Sequence, residues 1–183
     1  MNSASSPHES RFAAIERERR FLLDHLPEGI DLARAARIED LYLHGTTLRL
    51  RRVQIAECAM VWKLTQKHSI DPAHSILTTI YLSAAEYDVL RALPGDTLDK
   101  LRIRHADDQH CAVNVFQGSL HGLILAEIEF ASDEEMAGTA APTFAAAEIT
   151  EDEALTGRLL AGSRWALIRS HLLSMYGVTV FAV

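Results

Sequence analysis

Between residues 15 and 130, apolar and polar side chains alternate in short runs rich in β-branched, aromatic and charged residues, separated by polar or Gly/Pro punctuation. A period of two belongs to a strand whose faces meet different surroundings. The alternation predicts strands over residues 15–23, 41–53, 58–68, 76–82, 99–105, 112–116 and 123–130. Helices interrupt the series, and three are predicted from a Ser/Thr-x-x-Glu capping box, in which the cap hydroxyl and the third-position carboxylate satisfy free N–H groups of the first turn. They begin at Ser83 with Glu86, Ser132 with Glu135 and Thr150 with Glu153. The first should stop by Pro94-Gly95, since proline disfavours helix in its predecessor and glycine accepts a positive φ. A fourth is expected over 163–176, with Trp165, Ile168, Leu172 and Met175 on one stripe and Gly177 as its stop. Residues 137–147 read as a loop, and 178–183 as a short apolar terminal segment.

Residues two apart on a strand share a face, so the alternation separates into two surfaces. One is apolar: Leu48 and Leu50, Trp62 and Leu64, Leu101 and Ile103, then Ala126, Ile128 and Phe130. The other is charged, with its signs sorted by strand: Glu16 and Glu18; Arg49 and Arg51; Lys63 and Lys67; Lys100, Arg102 and Arg104; Glu127 and Glu129. A solvated sheet face normally intersperses signs, because like charges on neighbouring strands repel. Cations gathered in this way call for an anionic ligand. A sheet closed with its apolar face outward under helices would turn the charges into the lining of an interior channel. There Arg forks and Lys ammoniums suit phosphate oxygens, while paired carboxylates supply hard oxygen ligands for Mg²⁺ or Mn²⁺.

Composition narrows this picture. The chain has 183 residues, 48% of them hydrophobic, and a formal charge of −7, which suits one domain and argues against a nucleic-acid or membrane-surface partner. Any polyanion site must be local. Cys58 and Cys111 lack a CxxC partner, as expected for a reduced cytoplasmic protein. Residues 1–10 are polar, without the basic and apolar regions of a signal peptide, and read as a disordered tail. The nine histidines form no HxH or HExxH spacing, and each is best read as a surface or core residue.

The segment Ile15-Glu16-Arg17-Glu18-Arg19-Arg20-Phe21-Leu22-Leu23 resembles the ExExK signature and following Phe-Leu of the CYTH domains, the triphosphate tunnel metalloenzymes. Leu48-Arg49-Leu50-Arg51, Leu64-Thr65-Gln66-Lys67, Lys100-Leu101-Arg102, Glu127-Ile128-Glu129-Phe130 and Glu148-Ile149-Thr150 are similar to its later motifs, in order. The resemblance covers residues 15–161. It implies an α+β fold, a closed antiparallel eight-stranded β-barrel with flanking helices over residues 11–161, which binds a triphosphate-containing small molecule with Mg²⁺ or Mn²⁺. It implies catalytic Glu16, Glu18 and Arg20; substrate contacts from Arg49, Arg51, Lys63, Lys67, Lys100, Arg102 and Arg104; and a metal held by Glu16, Glu18, Glu127 and Glu129. Three positions depart from the family pattern. Arg20 stands for a lysine and, unable to deprotonate, is expected as a phosphate clamp rather than a base. Thr78 and Thr79 stand where many members carry Glu, and Asn114 where many carry Asp.

The expected activity is a metal-dependent triphosphate phosphohydrolase. The alternatives are an adenylyl cyclase forming cyclic AMP, which needs a nucleoside pocket for which no base-reading motif is evident, and a non-catalytic polyphosphate-binding module. The tail over 162–183 lies beyond the resemblance, and its apolar stripe calls for cover: it packs on the domain or forms a homodimer contact.

Overall fold

The computed structural model describes residues 13–55, 59–105 and 110–179. The expected tail over 1–10, Cys58 and the last residues of the terminal segment lie outside them. The chain forms strands β1 (Ala13–Leu23), β2 (Ala36–Leu43), β3 (Leu48–Ile55), β4 (Ala59–Ser69), β5 (His74–Leu82), β6 (Gly95–Arg104), β7 (Cys111–Phe116), β8 (Ile124–Glu129) and the short β9 (Ala147–Glu148). Four helices accompany them: α1 (Ala84–Leu90), α2 (Asp133–Gly138), α3 (Gly157–Ala161) and α4 (Trp165–Tyr176). The sheet runs β5-β4-β3-β2-β6-β7-β8-β1, and a β1–β5 pairing closes it into an eight-stranded barrel in which each neighbouring pair is antiparallel.

The long strand β1 holds the closure together. Its first half, Ala13–Arg17, pairs with β5, and its second half, Glu18–Leu23, pairs with β8. Where β5 leaves its edge, β9 takes over opposite Phe21 and Leu22. Closure removes the open edges that would otherwise invite pairing with other chains.

The run expected as one strand over 41–53 is a hairpin, β2 and β3, folded at Gly45 with φ +67°. That left-handed backbone suits glycine, and it converts seven predicted strands into the eight of the barrel. The capping boxes fare differently from one another. Ser83 and Glu86 cap α1 reciprocally. Ser132 accepts from the Glu135 N–H, but the Glu135 carboxylate accepts from the Ala131 N–H, one residue before the cap. At Thr150 no α-helix begins: its hydroxyl accepts from the Arg20 N–H and bonds Glu148, and Asp152 instead caps a single 3₁₀ turn, Glu153–Leu155. α4 starts at Trp165, after Arg164 rather than Ser163, and ends on Gly177 in the left-handed conformation.

Two apolar clusters follow from the two faces of the strands. Phe21, Leu23, Val113, Val115, Ala126, Ile128 and Phe130 pack on the outer wall, with Leu101, Ile103, Met136 and Phe144 against them. Leu22, Leu98, Phe116 and Leu125 have the inward parity and meet Leu155, Leu160, Ile168 and Leu172 in a second cluster, so α3 and α4 seal one end of the barrel. Trp165 and Tyr176 pack against this seal. Met175, expected on the same stripe, is 62% exposed instead, because the seal is narrower than the stripe. Among the described residues no helix is long and apolar enough to cross a membrane.

The seal is pinned by Asp152, whose Oδ2 lies 2.6 Å from His171 Nε2 and accepts from the Tyr176 hydroxyl at 2.8 Å. Burial pushes the Asp152 carboxyl up, but His171 and Tyr176 outweigh it and hold it below the usual range. A depressed carboxyl contributes stability that is present above its unfolded pKa and lost as pH falls through the folded one. Asp152→Asn is therefore expected to destabilise the fold at pH 7, by about 1.5–3 kcal/mol for the charged hydrogen bonds, with the gap from wild type narrowing as pH falls below the ordinary carboxyl value of 3.8. Thermal melts at pH 7 and pH 3 measure it. An equal gap at both values would contradict a role for the charge.

Candidate functional site

Register decides which charges share the interior. Arg20 faces Glu127 across β1 and β8, Arg51 faces both Asp40 and Lys63, and Arg102 faces Asn114. With strict alternation this lines the barrel with Glu16, Glu18 and Arg20 from β1, Arg49 and Arg51 from β3, and Lys63 and Lys67 from β4. β6 adds Lys100, Arg102 and Arg104, and β8 adds Glu127 and Glu129. Every residue expected in the site thus has inward parity, and cations outnumber carboxylates on that face.

The internal ion pairs define a chain. Lys67 Nζ lies 2.5 Å from Glu16 Oε2. Arg102 bonds Glu127 at 2.9 Å and Glu129 at 3.2 Å, and Lys100 Nζ lies 3.7 Å from Glu127. Burial, then the neighbouring Glu127, raise the Glu18 carboxyl to about 7. Glu127 itself is buried too, but Lys100, Arg102 and Arg51 hold it well below the carboxylate range. One carboxylate of the pair thus carries a proton more readily while the other is firmly ionised, as two like charges sharing a site require. Burial lowers the Lys100 ammonium to about 8, against the pull of Glu127.

Arg20 is placed otherwise than a phosphate clamp needs. Its Nη1 donates to the Leu155 carbonyl at 3.0 Å, and its Nη2 to the carbonyls of Thr150 at 2.6 Å and Asp152 at 3.4 Å. The guanidinium ties β1 to the sealed end, with Glu18 at 3.9 Å. Lys63 lies with Nζ 5.1 Å from the Tyr81 ring centroid. Arg104, the last of its strand, is exposed.

Sequence reasoning missed Asp40, whose side chain is fully buried and accepts from Arg51 Nε at 2.6 Å and Arg51 Nη2 at 2.7 Å. Asp40 lies one residue before the strand expected over 41–53, whereas the observed β2 begins at Ala36, so alternation gave it no face, and a lone acid carries no sign of its partner. Tyr42 lies at the seal, where Arg158 stacks on its ring at 5.3 Å and a Cβ on Gly157 would collide with its hydroxyl. At two of the departures from the family pattern, Thr79 shares a hydrogen bond with Thr65 at 2.9 Å, and Asn114 is fully buried with neither side-chain polar atom paired in the structure.

For a divalent cation the donor chemistry is suitable, because Glu18 and Glu127 are hard carboxylates close enough to perturb one another. Among the described residues, no group of three or more His, Cys, Asp or Glu is arranged to hold a metal by itself. The remaining ligands would have to come from phosphate oxygens or water, the usual arrangement for Mg²⁺.

No family model and no curated protein matches the chain. Two solved structures of NE1496 do match its fold. One, described as an inorganic triphosphatase, has 23% identity and a TM-score of 0.53 over 81% of this chain and 95% of that one. The other has 24% identity and a TM-score of 0.54 over 81% and 99%. At this identity the likeness is one of fold, a closed eight-stranded antiparallel barrel.

Proposed function

We propose that this chain, folded as a triphosphate-tunnel barrel, is a divalent-metal-dependent phosphohydrolase that takes inorganic triphosphate, or the triphosphate of a nucleotide, into its interior. The observation that carries the reading is the surplus of cations on the inner face, with Lys100 buried and Arg49, Arg51, Lys63 and Arg102 half-buried. Enclosed cations are costly unless an anion compensates them, and a triphosphate supplies several negative charges in a line. The inorganic triphosphatase of similar fold supports the reading.

In this assignment Arg49, Arg51, Lys63, Lys67, Lys100 and Arg102 hold the phosphate oxygens, with Arg104 at the rim. Glu16, Glu18, Glu127 and Glu129 would hold Mg²⁺ or Mn²⁺, which when bound polarises phosphoryl oxygens and offsets their charge. Hydrolysis needs water in line with the terminal phosphorus and charge stabilisation on the transferring oxygens, and positioned Arg and Lys side chains provide the latter. Lys100, with its ammonium near 8, can hold a proton at Nζ for the departing diphosphate oxygen. Arg20 is assigned to positioning: it holds the sealed end rather than substrate.

The test is turnover of inorganic triphosphate and ATP with Mg²⁺ or Mn²⁺, products being resolved by ion chromatography. Metal-dependent release of orthophosphate, abolished by EDTA, is expected. Cyclic AMP with diphosphate, or binding without turnover, would overturn the hydrolase assignment.

A further inference from the structure

Asp40 is an ionised group walled into the barrel. Burial pushes its carboxyl up, yet Arg51 and Arg49 outweigh burial and, with Lys100, keep it below the usual range. Its two oxygens accept separately from Arg51 Nε and Nη2, a side-on fork that leaves the Nη1 edge of Arg51 turned away. Arg49 comes to 3.8 Å of the same carboxylate, beyond hydrogen-bond reach, and its buried Nε has no acceptor in the structure. A buried N–H without a partner is costly, so the Nε of Arg49, whose guanidinium otherwise meets the Tyr42 hydroxyl, is open to an acceptor brought by a ligand.

Resting on the reading that the tunnel binds a triphosphate, we propose that Asp40 is a positioning residue: it fixes the Arg51 fork, with Arg49 beside it, in the orientation in which both meet phosphate. Stability alone is a poor reason for such a group, because a buried ion pair is often no better than well-packed apolar residues of similar volume. Orientation is a better one, because a guanidinium clamped on one edge approaches phosphate from a fixed direction with the other. The carboxylate also subtracts one charge from a cationic interior. Its loss should therefore disturb the geometry of turnover more than the attraction for substrate.

Asp40→Asn keeps the volume and removes the charge. The expected result is a kcat lower by roughly ten- to a hundredfold, the scale of a small misplacement at a reacting centre, with a KM for inorganic triphosphate that is unchanged or lower. The slowly exchanging Nε–H resonance of Arg51, assigned through Arg51→Lys, should be lost or shifted in the variant without any ligand. A merely structural role would not lower kcat while leaving KM unchanged or lower. Should Asp40→Asn not fold, Asp40→Glu keeps the charge but displaces it by a methylene, and the same fall in kcat at unchanged KM is expected. Wild-type kcat in a folded variant, or an unaltered Arg51 resonance, overturns this assignment alone. Failure of the wild-type protein to bind inorganic triphosphate by calorimetry overturns it together with the functional reading.

Discussion

Glu127→Gln is expected to reduce metal-dependent triphosphate turnover by on the order of a hundredfold or more, since even outer-shell changes at metal sites cost roughly ten- to a hundredfold. Its carboxylate is the common partner of Lys100 and Arg102, and from the neighbouring strand it raises the Glu18 carboxyl. The substitution keeps the shape, removes a candidate metal ligand and leaves two enclosed cations short of a counter-charge. Breaking a buried pair in this way costs about 3–5 kcal/mol, so the ligand-free variant should also melt below wild type. Added triphosphate supplies the missing negative charge, and the variant should gain more in Tm from it than wild type does. Phosphate-release assays and melts with and without triphosphate check both halves. Full turnover would remove Glu127 from the site, and equal ligand-induced shifts would show that it does not balance the cations.

Leu172→Ala should produce the largest loss of stability without touching a charged group. Leu172 is fully buried between α4 and the inward-facing Leu22, Phe116 and Leu125. Truncating such a leucine costs about 2–5 kcal/mol through lost transfer energy and the cavity left behind. For a chain of this length that is a Tm lower by roughly 4–20 °C. Met175→Ala, on the same helix but exposed, should stay within about 0.5 kcal/mol of wild type. Denaturant titrations of the two variants separate the cases. Comparable stability would mean that α4 does not seal the barrel.

The charged and apolar faces were legible because a strand's period of two is fixed by covalent geometry, and closing the barrel preserves it. Arg49, Arg51, Lys100, Arg102 and the paired glutamates could therefore be placed on one surface before any pairing was known. Register was not legible. It depends on turns such as that at Gly45, which a single glycine marks only weakly within a continuous run, and so β2 and β3 looked like one strand. Without register, Asp40 had no visible partner, and the Glu127 and Lys100 contact could not be foreseen. Arg20 shows a second limit. Alternation predicts that it points inward, but it cannot say that the carbonyls of Thr150, Asp152 and Leu155 are waiting there, since these arrive from a loop 130 residues later. The same loop uses the Thr150 hydroxyl to meet a strand N–H, which is why a well-formed capping motif starts no helix.

The burial of Leu22, Leu98, Phe116 and Leu125 beneath α3 and α4 closes one end of the barrel. In the proposed reaction a triphosphate would then have to enter by the other end, one terminus first, with whatever its other terminus carries left toward solvent. Diphosphate, which carries the same kind of charge, would leave by the same route and compete with triphosphate. On that reading turnover would follow the ratio of triphosphate to diphosphate around the protein.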